Sequence, residues 1–235
     1  MKRREFLNAI AAGMFLNVMD CGAAIGAPCI NRKIVGLGGA GCNIIQSFAS
    51  KPLLACADEF IFANTDVCDF DYHRKAFDAK AVGATAHFVE LGESGLGTGG
   101  DISVGRSDAL LSAHRLLRSL EGADQVVIVA GLGGGTGSGA APVVAHLAKG
   151  IGATSIALIT MPFSFEWADR KAKAARTLED LRSHADHVVA FSNDGPAESL
   201  GEDATMAEVF GLTDARMLAT LSQFMTANVG EDRWK

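Results

Sequence analysis

The sequence predicts an α/β fold, a mostly parallel sheet with helices on both faces. Three observations point there. Short apolar runs alternate with helix-period segments from Lys33 onward, the pattern of repeated strand–helix units. The run Val126–Ala130 is uninterrupted and apolar, as a central parallel strand buried on both faces requires. The 27 glycines are clustered, with 4, 6 and 6 of them in residues 36–41, 92–105 and 131–139. Each cluster follows a predicted strand and precedes a predicted helix. In α/β folds that is the ligand rim, outside the carboxyl ends of the strands.

The elements follow in order. Lys33–Leu37 is a short strand running into Gly38–Gly41, and a helix is read from Cys42 to Phe48 with Asn43 near its start. Glu59–Ala63 is a second strand ending in Asn64-Thr65-Asp66, and Ala86–Leu91 a third. After Gly105, residues Leu110, Leu111, Leu117 and Leu120 keep near-helical spacing. Gln125–Ala130 is the strongest strand. Ala140–Lys149 reads as a helix with Pro142 in its first turn, where a missing N–H is harmless. Ser155–Thr160 is a buried strand, Ala168–Ser183 a charged helix, His187–Phe191 a strand, and Asp214–Asn228 a last amphipathic segment. One domain is expected over 33–228, with an extension at 1–32 and a tail at 229–235.

Composition narrows the function. The 235 residues are 49% hydrophobic and carry a net charge of -6. That length buries a full core without disulfides or a structural metal, and the acidic balance excludes a broad basic surface for nucleic acid. The five cysteines have no CxxC spacing, so free thiols are expected rather than a disulfide framework or zinc site. At the N-terminus, Arg3-Arg4 precedes an apolar stretch from Ala9 to Val18 and then small residues. This reads as a twin-arginine-like export signal or as an amphipathic or partly disordered helix preceding the first strand, and it leaves membrane association through this segment open.

The glycine loops carry the chemistry. Without a Cβ, backbone N–H groups approach a phosphate closely, and a helix N-terminus adds partial positive charge. Three such loops on one rim suit a di- or triphosphate. Gly36–Gly41 matches GxGxxG, a pattern shared with nicotinamide-dependent dehydrogenases, in which Asp66 would meet the ribose. The richer cluster 133–139 is one loop more than a dehydrogenase uses, and no GK[ST] follows any glycine, so the P-loop is excluded.

At this point a family resemblance appears. Residues 133–142, GGGTGSGAAP, resemble the signature loop of the tubulin/FtsZ superfamily. Gly38-Gly39-Ala40-Gly41-Cys42-Asn43 resembles its first nucleotide loop, with Cys42 where Gly is common. Asn64-Thr65-Asp66, the loop Gly95–Gly100 leading to Arg106, and Leu120–Asp124 resemble further segments in family order. Pro162–Glu166 with Arg170 resembles the motif whose Glu meets the ribose and whose Arg reaches the nucleotide, with Trp167 where Gly is usual. The resemblance implies a Rossmann-like domain that binds GTP or GDP with Mg2+. It implies phosphate contacts from Gly38, Gly39, Ala40, Gly41, Asn43, Asn64 and Asp66. Gly97, Thr98 and Gly99 and the run Gly133, Gly134, Gly135, Thr136, Gly137 and Ser138 would complete the cradle. Glu166 and Arg170 would serve the ribose side, Asn193 and Asp214 would recognise guanine, and Phe210 would stack on it.

Several assignments have a plainer reading, though the glycine cluster 131–139 has none. Thr65-Asp66 is also an ordinary turn. Glu166 and Arg170 are also a surface i,i+4 pair, and Phe210 is also a core residue. His184 and His187 read as a solvated helix end rather than metal ligands. In family members the chain continues into a loop with catalytic acidic residues and a second domain, which this sequence does not show. The expectation is therefore nucleotide binding with weak autonomous hydrolysis, in a cell-division or cytoskeletal GTPase-like protein of the cytoplasm. The alternatives are a regulator that caps filaments of a full-length FtsZ, and a NAD-dependent oxidoreductase.

Overall fold

The computed structural model describes residues 30–49, 59–77 and 85–226. The twin-arginine-like segment and the 229–235 tail lie outside the described residues. The architecture is that of the unit beginning at Asn31. In chain order it runs β1 (Arg32–Leu37), α1 (Gly38–Ala49), β2 (Glu59–Asn64), α2 (Val67–Ala76) and β3 (Thr85–Glu90). Then come α3 (Ile102–Leu111), α4 (Ala113–Leu120), β4 (Gln125–Gly131), α5 (Gly135–Gly150) and β5 (Thr154–Met161). The order closes with α6 (Ala168–His184), β6 (His187–Ser192), α7 (Asp194–Leu200) and α8 (Met206–Thr226).

The six strands form one sheet in the order β3-β2-β1-β4-β5-β6, and every pairing is parallel. The chain builds outward from β1 through β2 to β3, then crosses back to place β4 on the other side of β1. Strand order therefore reverses between β1 and β4, and a crevice opens beyond their carboxyl ends. Leu37 of β1 sits opposite Ala130 of β4 at that point.

Side chains on successive strand positions face opposite layers, and the core divides accordingly. Val35, Leu37, Val126, Ile128 and Ala130 pack under α3–α6 with Leu116, Ala141, Val144 and Leu181. Ile34, Phe60, Phe62, Val127, Val129 and Leu158 pack on the other face with Ile45, Phe48, Met217 and Leu221. β1 and β4 are apolar on both faces because both faces are covered, whereas β3 and β6 are edge strands and half-exposed.

Three helix starts differ from the sequence expectation. α1 begins at Gly38 rather than Cys42, and α5 at Gly135 rather than Ala140. The glycines that read as loops are thus the first turns of helices. Pro142 consequently lies inside α5, and the ladder bond its N–H would make is absent. α8 begins at Met206 rather than Asp214. Thr205 starts it with a capping box, accepting from Glu208 N at 3.3 Å while Glu208 Oε2 accepts from Thr205 N at 2.9 Å.

Two glycines serve packing. A β-carbon on Gly41 would stand 2.4 Å from the carbonyl oxygen of Val129, so α1 rests directly on β4. One on Gly139 would stand 2.4 Å from the backbone nitrogen of Arg106, where α5 crosses α3.

Candidate functional site

The crevice at the strand reversal is a cleft of about 570 Å3. Its floor is the carboxyl ends of β1, β4 and β5, through Leu37, Gly131, Thr160 and Met161. The first turn of α1 supplies Gly38, Gly39 and Ala40. The start of α5 supplies Gly134, Gly135, Thr136 and Gly137, and Thr98 closes that side. Unpaired backbone N–H groups of two helix starts therefore open into one space, an arrangement suited to anionic oxygens.

Part of the lining is aromatic. Phe163, Phe165 and Phe210 form it with Met206. Phe165 stacks on Phe163 with centroids 4.8 Å apart, and Phe210 lies 6.0 Å from Phe163. Phe210 is 45% exposed, so it is a cleft wall rather than a core residue. Between the aromatic side and the glycine turns stand Glu166 and Arg170, paired at 2.9 Å. Glu166 is pinned by a bond from Phe163 N at 2.8 Å, and Lys171 Nζ donates to Ser164 O at 2.7 Å. Asn193 is buried and lines the cleft. Its Oδ1 accepts from the Thr213 hydroxyl at 2.9 Å, and its amide donates to Met161 O at 3.3 Å. Next to it, bonds from Ser164 N and the Ser164 hydroxyl hold the Asp194 carboxyl below its ordinary range, against the opposing effect of burial.

The other residues named from the sequence lie behind or beside the cleft. Gly41 packs on the sheet, and Asn43 is exposed on α1 away from the lining. Asn64 is buried behind the glycine turns. Its amide reaches Asp69 at 2.7 Å and its Oδ1 accepts from Thr65 N at 2.8 Å. Asp66 caps α2, accepting from Cys68 N, and Gly97 N bonds to Thr65 O at 3.0 Å. Ser138 is buried, its hydroxyl accepting from Gly133 N at 2.9 Å, so it braces the turn from within. Asp214 accepts from the Ser47 hydroxyl at 2.7 Å, between α8 and α1 and outside the lining. Gly99 and Gly133 border an adjoining recess. Cys42 is fully buried, and burial pushes its thiol far up, so it stays a neutral core group.

Some contributors carried no sequence signal strong enough to single them out. Thr160 and Met206 line the cleft only because β5 ends and α8 starts beside it. The buried Thr65 hydroxyl meets that of Thr136 at 2.7 Å and ties the end of β2 to the start of α5. Among the described residues no group of three or more His, Cys, Asp or Glu could hold a metal ion. Among the same residues no helix is long and apolar enough to cross a membrane.

A doubly wound parallel sheet with glycine-rich helix starts at its strand reversal defines a Rossmann-like α/β domain. The comparisons make that class specific. The Tubulin/FtsZ family, GTPase domain, matches residues 31–200. Cell division protein FtsZ of Neisseria gonorrhoeae is 37% identical over 185 residues, covering 77% of this chain and 44% of that protein. FtsZ of Mycoplasmopsis pulmonis is 35% identical over 196 residues, 83% of this chain and 47% of that one. Among solved structures, the empty FtsZ dimer of M. jannaschii superposes with a TM-score of 0.70 at 26% identity, over 95% of this chain and 59% of that one. GDP-bound CetZ1 of Haloferax volcanii shares the fold, with a TM-score of 0.71 at 22% identity over 86% of this chain and 62% of that one. The chain belongs to the tubulin/FtsZ family, through its GTPase domain. It spans less than half the length of the FtsZ relatives it matches in sequence.

Proposed function

We propose that this domain binds GTP and GDP in the cleft. One observation carries the reading: the first turns of α1 and α5 open into a single space that Phe210 and Asn193 also line. The phosphates lie on the backbone N–H groups of Gly38–Ala40 and Gly134–Gly137, with Thr98 and Thr136 as hydroxyl donors. Mg2+, when bound, neutralises phosphate charge and is held largely by phosphates and water. Glu166 and Arg170 border the ribose, and Phe210 offers a π-face to the base.

Base choice follows from Asn193. Met161 O takes one of its amide hydrogens, and the other is left for an acceptor such as guanine O6. Adenine carries a donor at that position and is disfavoured. Asp214, bonded to Ser47 and outside the cleft lining, would have to be brought to the base before it could pair with guanine N1 and N2. The dehydrogenase alternative loses its support, because Asp66, its ribose acid, caps α2 and does not line the cleft.

Hydrolysis by this domain alone is slow. Glu166 is the carboxylate that lines the cleft among the described residues, and it is bound to Phe163 N and Arg170 rather than free to orient water. A second reading, a module that docks on an FtsZ filament and modulates it in cytoplasmic cell division, is favoured by the exposed rim. Phe165, in the cleft lining, is 76% exposed, and Leu96, two residues before the lining Thr98, is 86% exposed. Calorimetry with GTP, GDP, ATP and NAD, followed by turnover with and without an added full-length FtsZ, tests both. Guanine-selective binding with slow turnover supports the first. Co-sedimentation with FtsZ polymers supports the second, and NAD binding without GTP binding overturns both.

A further inference from the structure

The cleft does not end on its phosphate side. Gly134, Gly135 and Arg170 also line a second recess of about 660 Å3, comparable in size to the cleft itself. Gly99 and Gly100 form part of its floor, and the start of α6 supplies Trp167, Asp169 and Lys173. β-carbons built on Gly99, Gly100 or Gly134 meet nothing within 4 Å, so this backbone faces open space.

Trp167 is 86% exposed, which leaves a large apolar ring in water. It and Phe165 flank Glu166 in sequence, and the two rings serve different spaces. Phe165 lines the cleft and Trp167 the recess. Glu166 between them is fixed by Phe163 N at 2.8 Å and Arg170 at 2.9 Å. The two spaces together therefore make one trough with an aromatic surface at each end. The part the two spaces share is the backbone of Gly134 and Gly135 with Arg170, and a second cation, Lys173, lines the recess. Both cations are in i,i+4 pairs, Arg170 with the mostly buried Glu166 at 2.9 Å, and Lys173 with Asp169 at 2.8 Å, where both side chains are exposed. Such pairs are weak and rearrange readily toward a stronger anion.

The geometry points to a distal subsite in the recess that takes a second planar ring tethered through the polyphosphate, so that the trough as a whole fits a dinucleoside polyphosphate. This rests on the reading of the cleft as a nucleotide site. A nucleoside triphosphate occupies the cleft and the shared wall and leaves Trp167 uncovered. A ligand with a nucleoside at each end covers it.

The test compares GTP, guanosine 5′-tetraphosphate and bis(5′-guanosyl) tetraphosphate on the full chain. The latter two share a phosphate number and differ by the second nucleoside. Stacking of a base on an aromatic side chain corresponds to at least about fivefold in affinity. The bis-guanosyl compound is expected to bind at least about fivefold tighter than guanosine tetraphosphate. That advantage should vanish in Trp167→Ala and persist in Trp167→Phe. The chain has two tryptophans, Trp167 and Trp234, so in a Trp234→Phe background the fluorescence of Trp167 alone should be quenched by the bis-guanosyl compound and not by GTP. Equal affinities in the parent chain, or an advantage retained by Trp167→Ala, overturn the subsite. If GTP binds and the second nucleoside adds nothing, the cleft reading stands and the distal subsite falls. If no guanine compound binds, both fall.

Discussion

Replacing Gly41 by alanine should destabilise the domain, although Gly41 lies in α1, where alanine is intrinsically the better residue by about 1 kcal/mol. The sign is decided by space. The new β-carbon would stand 2.4 Å from Val129 O and 3.2 Å from the carbonyl carbons of Gly36 and Val129, all of them backbone atoms of paired strands. None of these atoms can turn aside. Ordinary contact starts at 3.4 Å, so α1 must lift from the sheet by about 1 Å. Overpacking of this kind costs about 1–3 kcal/mol, and more where backbone must move. Against the propensity gain, the net loss is about 1–2 kcal/mol, or roughly 2–8 °C in Tm for a domain of this size. Two controls separate packing from ligand contact. Gly211 lies in α8 with nothing within 4 Å of its β-carbon position, so Gly211→Ala should raise stability by about 1 kcal/mol. Gly134 is equally open but lines the cleft, so Gly134→Ala should change stability by less than about 1 kcal/mol and weaken nucleotide binding. Denaturant titration and calorimetry on the three variants provide the assay. A Gly41→Ala protein stabilised as much as Gly211→Ala would refute the close contact of α1 with β4.

Other perturbations probe the remaining parts of the site and its support. Phe210→Ala should lower affinity for GTP by at least about fivefold and Phe210→Tyr by far less, as measured by calorimetry; equal affinities would remove Phe210 from the base site. Thr65→Val leaves the buried Thr136 hydroxyl without its 2.7 Å partner and should cost about 1–2 kcal/mol in denaturant unfolding. Burial pushes the Asp186 carboxyl up, but bonds from Ser155 N and the Ser155 hydroxyl, at 2.8 and 2.7 Å, outweigh it and hold the group below its ordinary value. A carboxyl lowered by folding contributes stability above its unfolded value near 3.8 and loses it as pH falls through the folded one. Asp186→Asn should therefore be less stable than the parent at pH 7, the gap closing below about pH 4. A gap constant from pH 7 to pH 3 would contradict the assignment.

What could be read from the sequence follows from how strongly burial constrains it. β1, β4 and β5 are covered on both faces, so their apolar runs admit few other readings. α2 leaves no clear apolar period in the sequence, because most of its residues face water and its inner face is reduced to Phe70 and His73. Asp66 at its start fits an ordinary turn or a nucleotide contact in sequence, while in the structure its carboxylate caps the helix. The beginning of α8 was marked by Thr205 and Glu208, a capping box that the later amphipathic stretch overshadowed. The glycine clusters located the site but concealed the helix starts, since glycine is a poor helix former and these helices begin with it. Within the site, Thr98, Thr136, Glu166, Arg170, Asn193 and Phe210 came from family resemblance, and the structure brings all six to one cleft. Asn43 and Asp214 came from the same resemblance and lie outside the lining, because α1 turns Asn43 outward and Ser47 holds Asp214. Chain spacing alone carries no information on either.

The most direct test is calorimetric titration of the nucleotide-free protein with GTP, ATP and NAD, repeated on Asn193→Ala. GTP is expected to bind saturably, with ATP and NAD far weaker. Asn193→Ala should lose most of the preference for GTP over ATP. Equal affinity for GTP and ATP in the parent protein, or binding of NAD in place of GTP, would contradict the assignment of the cleft to guanine nucleotide.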